Sequence, residues 1–487
     1  MYSLIGPRWR KLSLAVSLAA YFTYFSWYGL TAHFAPDEPM NMYFYWHPRP
    51  LQFWLSHLTV WRGVYRPMGG VFYLPLFYAF GWNPVPYHAA LLLLLLAGVF
   101  LVCRFARLLG CGELTAALAA LIVCYHAGLS LLYYDTAFVY DALCGFFYLA
   151  AFVFYVRIRA RDRLLSFRET AVFLGLYLCC LNSKEMAVTL PAVLLVYEWI
   201  YRGPPRWTWL RGPGRVIVLA AALNAAYIYG RVFAPNALAG DPGYRVVFSR
   251  QRLADFQNRT LRDLFLGWNS FDSHTVPIIW AAVTYLAWRR NRPALRFCWF
   301  YILLTPLPIE FLPGRGGACL YIPLFGWAVF ASIVFRDVVR AAAAFGAREP
   351  LLRPLGRSRV SALLIATGLF LWARDNRRLE DSFVKPAIPQ LGCETWEVMQ
   401  QLQSLGPRVE PGSRVVFLDD PLGTYDMAFL AELWFRDRSV SVSLNRREPL
   451  PPAEIAAADH VFTFEDRKPR LQRPITSSHS RIGNSCS

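Results

Sequence analysis

The chain is written mostly in long apolar runs separated by short basic stretches. A run of about 20 mostly apolar residues is long enough to cross a bilayer as a helix. The first, Leu12–Leu30, follows Arg8, Arg10 and Lys11 and lacks a small-residue cleavage site, so it reads as a retained span. Pro84–Val102, Leu114–Leu132 and Ala137–Val156 come next. Thr170–Asn182 and Met186–Ile200 form a hairpin that turns through Ser183-Lys184-Glu185. Val216–Phe233, Val276–Trp288, Phe297–Phe311, Cys319–Phe335 and the short Ser361–Trp372 complete a predicted set of about 11 transmembrane helices.

Three segments are too long to be turns: Thr31–Asn83, Ala234–Thr275 and everything after Trp372. In the last, Arg414–Leu418, Val440–Leu444 and Val461–Phe464 have the pattern of strands, while Tyr425–Phe435 and Pro452–Ala458 have that of helices. The expected architecture is an α-helical polytopic membrane domain over residues 1–373, with outer loops at 31–83 and 234–275. A small α/β extracytoplasmic domain follows over 374–467, and 468–487 reads as a disordered tail.

Basic residues give the orientation. With a cytoplasmic N-terminus, the inner loops hold Arg104 and Arg107, Arg157–Arg168, Arg202–Arg215, Arg289–Arg296 and Arg336–Arg359. The short outer turns at Tyr134-Asp135 and Ser183–Glu185 hold one basic residue, Lys184. This alternation follows the positive-inside rule. The net charge of +18 on 487 residues is therefore topological and does not point to nucleic acid. Charged residues are 17% of the chain, against about 25% in soluble domains, which excludes a soluble globular protein. Ten Cys occur, none in a CxxC pair, and most lie in apolar runs as small hydrophobes. Cys393 and Cys486 fall outside those runs, and no disulfide is assigned to them.

The first outer loop carries the most chemistry. His33-Phe34-Ala35-Pro36-Asp37-Glu38-Pro39 places two carboxylates just beyond the first span, stiffened by prolines. An aromatic stretch suited to the headgroup zone follows, including Tyr43, Trp46, Trp54 and Trp61. A rigid carboxylate at a half-dry boundary suits a general base. The same predicted face receives Arg66, Asp135, Lys184, Glu185 and Arg315, with Asp141 one to two turns deeper. Taken singly, each cation reads as a snorkelling side chain and each acid as a loop or capping residue. Together, the cations suit a phosphate and the carboxylates a hydroxyl. No cofactor is expected. A divalent metal on His33, His47 and His57 is a minor alternative, because their spacing is too wide for a helix-face pair. Asn258-Arg259-Thr260 fits a glycosylation acceptor.

In order, Asp37-Glu38, Tyr65-Arg66-Pro67, Asn83-Pro84 with Tyr87-His88, Asp135, Ser183-Lys184-Glu185 with Pro191, and Arg315 before Leu320-Tyr321-Ile322-Pro323 resemble a known pattern. It is that of the GT-C membrane glycosyltransferases, in the protein O-mannosyltransferase-like branch, and it covers residues 10–335. The resemblance implies an inverting hexosyltransferase with a polyprenyl-phosphate-linked sugar donor and a protein, glycan or lipid acceptor. It implies a multi-pass protein, in a bacterial inner membrane, with the active site on the periplasmic or lumenal face. It maps the catalytic carboxylate to Asp37, and donor or acceptor contacts to Glu38, Arg66, Asp135, Lys184, Glu185, Arg315 and Tyr321. The chain departs from the tetratricopeptide members by lacking their C-terminal repeats. Two other readings fit the same outer cavity: a transporter or flippase for a lipid-linked sugar, and a non-catalytic relative. The former usually shows two related halves, and no internal repeat is evident.

Overall fold

The computed structural model describes residues 7–62, 65–204, 209–210, 212–234, 237, 240, 242–267, 274–346, 356–390, 392–406, 408–423, 426–465 and 468–472. The expected disordered tail beyond residue 472, Cys486, Tyr425 and parts of the outer loop 234–275 lie outside them, as do residues 205–208, 211 and 347–355 of the inner loops.

The chain divides into two compact units: Met1–Ala32 with Pro50–Ile388, and His33–Arg49 with Pro389–Ser487. The order of helices begins with α1 (Pro7–Ser26), α2 (Asp37–Trp46), α3 (Pro50–Ser56), α4 (Met68–Phe80), α5 (Pro84–Leu108), α6 (Glu113–Cys124) and α7 (Leu131–Tyr134). It continues with α8 (Val139–Arg159), α9 (Phe167–Leu181), α10 (Leu190–Arg202), α11 (Gly214–Val232), α12 (Arg250–Leu264) and α13 (Thr275–Arg289). Then come α14 (Pro293–Leu304), α15 (Leu307–Glu310), α16 (Tyr321–Gly346), α17 (Gly356–Leu379) and α18 (Lys385–Ala387). The second unit adds α19 (Cys393–Leu405), α20 (Asp426–Phe435) and α21 (Pro452–Ala456).

Local signals start several of these helices. Asn83 caps α5 by accepting from the Val85 amide at 3.1 Å, with Pro84 at the first helical position. Ser166 and Glu169 cap α9 reciprocally, and Arg163 grips Glu169 at 2.6 and 2.7 Å. Among the described residues, four stretches are long and apolar enough to cross a membrane: Pro84–Leu108, Thr136–Arg159, Gly214–Val232 and Gly317–Gly346. The last, which contains α16, is the most deeply buried of them. Small residues let it approach its neighbours. A Cβ on Gly145 of α8 would meet the Tyr321 ring at 2.6 Å, and one on Gly326 would meet Tyr301 of α14 at 2.6 Å.

Some expected spans are broken. Leu114–Leu132 is helical only to Cys124, after which Tyr125 and His126 are extended. Such backbone survives at membrane depth only where protein satisfies it. Here Asn376 Oδ1 accepts from the Ala127 amide at 2.8 Å, and the His126 ring lies 3.2 Å from the Leu264 carbonyl. Gly128 leaves room for the Asp263 carbonyl, which a Cβ would approach to 2.0 Å. Phe297–Phe311 likewise divides into α14 and α15, where Pro306 cannot continue the ladder.

At their arginine-rich ends, α8 and α10 are joined by a buried ion pair. Arg159 donates to Glu198 through Nε at 2.7 Å and Nη2 at 3.0 Å, and Tyr155 adds a hydroxyl at 3.0 Å.

In the second unit, β1 (Arg414–Phe417), β2 (Ser441–Leu444), β3 (His460–Glu465) and β4 (Lys468–Gln472) form a sheet in the order β2-β1-β3-β4. β2, β1 and β3 are parallel and β4 is antiparallel. Lys468–Gln472 is therefore an edge strand rather than part of a disordered tail, because its backbone pairs with Val461–Glu465. Buried Val415, Phe417, Leu430, Leu433 and Phe462 make the core, with the Phe417 and Phe462 rings stacked at 5.1 Å. The segment 33–49 belongs to this unit. Its α2 lies on α20 through Tyr43 and Phe429, ring centroids 4.9 Å apart, and Arg438 donates to the Trp46 carbonyl at 2.6 Å.

Candidate active site

The cations gather in the first unit, and the path of the backbone explains how. A Cβ on Gly230 of α11 would come within 2.5 Å of the Val60 carbonyl, so glycine there lets the Val60–Arg62 turn lie against the helix. A few residues on, the chain reaches Arg66, which has a φ of 36°. A non-glycine residue pays for that left-handed backbone, by about 1–3 kcal/mol.

The guanidinium offsets this cost with its partners. Arg66 Nη2 donates to Glu185 Oε2 at 2.8 Å and Nε to Oε1 at 3.3 Å. Nη1 reaches the Tyr65 hydroxyl at 3.0 Å and Nη2 the Tyr244 hydroxyl at 3.2 Å. The Tyr65 and Tyr140 rings lie 4.8 and 5.1 Å from the guanidinium carbon. Burial opposes ionisation of Glu185, but Arg66 and Arg231 outweigh it and bring the carboxyl down to about 2.

Beside Glu185, Lys184 donates to both oxygens of Asp141 at 2.7 and 2.6 Å and to Cys319 Sγ at 3.4 Å. Arg315 lies over the Tyr244 ring at 4.7 Å and donates to the Gly243 carbonyl at 3.1 Å. Tyr244 thus bridges Arg66 and Arg315.

Arg231 completes the group and was not among the residues singled out in the sequence. It lies in the last turn of α11, is 7% exposed, and its guanidinium carbon is 4.9 Å from the Tyr227 ring centroid. Its Nε and Nη1 are buried without a hydrogen-bond partner among the described residues. The available signal was an arginine inside an otherwise apolar run, which by default marks function rather than packing. Arg66, Lys184, Arg231 and Arg315 face two carboxylates, Glu185 and Asp141, so positive charge is in excess.

Two predicted residues have other surroundings. Asp135 Oδ1 accepts from the Ala137 amide at 2.8 Å and caps a short turn. Tyr321 is packed in the helix core against Gly98, Gly145 and Phe325.

Asp37 and Glu38 belong to the second unit. Glu38 is fully buried and accepts a hydrogen bond from the Ala35 amide, which leaves Asp37 as the exposed member of the pair. Asp37 opens α2, and partial desolvation at this surface position raises its carboxyl above the usual value. Asp426, which opens α20, is pushed up to about 6 by burial and then by the charge of Asp37. Of the three histidines in the first loop, His33 stacks on Trp396 at 4.6 Å, His47 lies 3.9 Å from Glu432, and His57 lies 3.2 Å from the Phe53 carbonyl.

The crystal structure of ArnT from Cupriavidus metallidurans in the apo state superposes with a TM-score of 0.52 over 94% of this chain and 93% of that one, at 13% identity. The chain shares the fold of ArnT. An Archaeoglobus fulgidus oligosaccharyltransferase, tethered by a disulfide to an acceptor peptide containing the NVT sequon, matches with a TM-score of 0.48 at 11% identity, over 88% of this chain and 64% of that one. No protein-family model and no curated protein sequence matches the chain. The several apolar helices support an integral multi-pass membrane protein.

Proposed function

We propose that this chain is an inverting membrane glycosyltransferase of the O-mannosyltransferase-like branch, with about 11 transmembrane helices. It moves a hexose from a polyprenyl-phosphate donor to an acceptor hydroxyl on the periplasmic or lumenal face. The observation that carries this reading is the buried guanidinium of Arg231 with two nitrogens unpaired, beside Arg66 and Glu185. Glu185 balances part of this charge, shared with Arg66, but the two unbonded nitrogens leave hydrogen-bonding capacity that an incoming anion would satisfy. A lipid phosphate supplies that anion, and the charge on it grows as the glycosidic bond breaks.

In this reading Asp37 takes the acceptor's proton as the hydroxyl oxygen attacks the anomeric carbon. Transfer is concerted with bond formation, because a carboxylate is too weak a base to deprotonate an alcohol beforehand. The bond from the anomeric carbon to the phosphate oxygen breaks, and polyprenyl phosphate departs with the bonding electron pair. Arg231, Arg66 and Lys184 hold that phosphate, and Arg315 extends the basic rim. Glu185 and Asp141 set the orientation of the cations.

The test follows label from a radiolabelled polyprenyl-phosphate mannose in membranes and in detergent. Transfer into a covalent product in detergent, where no gradient exists, is the expected result and removes the transporter reading. Arg231→Met should lower turnover by about 10²–10³ and Asp37→Asn by about 10²–10⁴. Wild-type turnover in a folded Asp37→Asn protein removes Asp37 as the base, and wild-type turnover in Arg231→Met removes the phosphate site.

A further inference from the structure

A second basic cavity lies on the arginine-rich face, and none of its lining residues belongs to the candidate site above. It has a volume of about 290 Å³ and is lined by Cys111, Gly112, Thr115, Arg292, Ala294 and Arg336 among others. That is near the lower end of ligand-pocket sizes, about 300 Å³.

The walls are built rather than incidental. The turn between α5 and α6 reverses at Gly110, with a φ of 85°, and the Tyr201 hydroxyl from α10 fixes it by donating to the Leu109 carbonyl at 2.9 Å. α14 begins at the cavity, with Arg292 as its N-cap and Pro293 in its first turn. Arg336 reaches in from α16 and donates to Thr115 Oγ1 at 2.7 Å. That acceptor is neutral, and among the described residues no carboxylate stands within ion-pair distance of Arg336.

One carboxylate in this region, Asp337, is already shared by Arg292 at 3.0 Å and Arg290 at 3.6 Å. Glu113 at the rim is paired with Arg107 at 2.8 Å. The Cys111 thiol supplies no anion either. Burial pushes it up to about 11, with Arg336 and Arg292 pulling the other way. Among the described residues, Asp337 is shared by Arg290 and Arg292, and Arg336 has no ion-pair partner, so positive charge is in excess beside a hydroxyl and a helix N-terminus.

We propose that this cavity binds a phosphate-bearing anion, an acidic phospholipid headgroup or free inorganic phosphate, between Arg336, Arg292 and the N-terminus of α14. Guanidinium groups match phosphate oxygens in pairs. The N-terminus of α14 adds a favourable dipole, while Pro293 has no amide hydrogen and the Leu295 and Arg296 amides already bond the Arg292 carbonyl. Basic pockets between helices on the cytoplasmic side suit lipid headgroups.

Gly112 provides the test. It is the exposed N-cap of α6 with φ −68° and ψ 165°, a conformation open to any residue, and its added Cβ would lie 3.1 Å from Arg336 Nη1. Aspartate and asparagine are equally good N-caps, so Gly112→Asp and Gly112→Asn should both fold. They differ in placing a carboxylate or a neutral amide beside Arg336. Binding of short-chain phosphatidylglycerol and, separately, of inorganic phosphate is followed on the full chain in neutral detergent.

Wild type and Gly112→Asn should bind one of these probes saturably, and Gly112→Asp about tenfold more weakly. Arg336→Gln should match Gly112→Asp, while the exposed Arg157→Gln should bind as wild type. Tighter binding of the phospholipid assigns the site to a membrane lipid, and equal or tighter binding of phosphate assigns it to the free ion. Equal affinity in all variants, an equal loss in both Gly112 variants, or an equal loss in Arg157→Gln overturns the proposal.

Discussion

Lys184→Met tests the pairing at the centre of the cation group. Lys184 Nζ lies 2.6 and 2.7 Å from the two oxygens of Asp141, and the side chains are 9% and 4% exposed. Removing the lysine leaves a carboxylate enclosed among helices with its principal cation gone. Breaking a buried pair in this way costs about 3–5 kcal/mol, whereas replacing both members with apolar residues is neutral or stabilising. Lys184→Met should therefore lower the thermal midpoint by several degrees, and Lys184→Met with Asp141→Leu should restore it. Intrinsic tryptophan fluorescence of the protein in detergent gives the midpoints, and wild type, Lys184→Met, Asp141→Leu and the double variant form a double-mutant cycle. Sugar transfer should separate from stability, with the double variant folded but slow because it lacks a phosphate-binding cation. A single variant as stable as wild type, or a double variant no more stable than the single one, would refute the argument from burial. Full activity in the double variant would reduce Lys184 to a structural partner.

Three further outcomes follow from the same geometry. Glu198→Gln leaves Arg159 with a neutral partner and should destabilise the protein by about 3 kcal/mol, read as a lower thermal midpoint with no direct effect on donor binding. Gly230→Ala sets a methyl group 2.5 Å from the Val60 carbonyl, so the segment leading to Arg66 must shift. A loss of about 1–3 kcal/mol together with slower transfer is expected, and unchanged activity would detach that close approach from the site. Asp426 is raised to about 6, so the native state keeps a proton that the unfolded chain releases from about pH 4 upward. Stability should therefore fall as pH rises from about 4 to 6, and Asp426→Asn should flatten that slope; an equal slope in both proteins would show that another group titrates.

Much of this was legible in the chain because the physics is local. The strands Arg414–Phe417, Ser441–Leu444 and His460–Glu465 lie within a residue or so of the ranges read from alternation. Charged residues outside apolar runs stand out, and Arg66, Lys184, Glu185 and Arg315 could be singled out for that reason. The break at Tyr125-His126 could not. Neither residue is proline or glycine, Gly128 nearby is a lone glycine in an apolar run, and the break persists through Asn376 and Leu264, which are distant in sequence. Arg231 was passed over because a hydropathy window averages a single cation into its apolar neighbours. The grouping of residues 33–49 with the C-terminal sheet rests on contacts such as Tyr43 with Phe429, which have no periodicity to betray them.

The antiparallel strand β4 has a consequence for anyone shortening the chain. Strand β3 carries His460-Val461-Phe462-Thr463-Phe464-Glu465, a β-branched and aromatic sequence whose outer row of amides and carbonyls is occupied by β4. β4 itself runs Lys468-Pro469-Arg470-Leu471-Gln472. Two basic residues and a proline without an amide hydrogen are features that discourage a further strand from adding. A cut placed before Lys468, on the ground that the tail is polar, removes this self-limiting border. The uncovered β3 then offers an adhesive template to other copies, so trimming intended to improve solubility would promote aggregation.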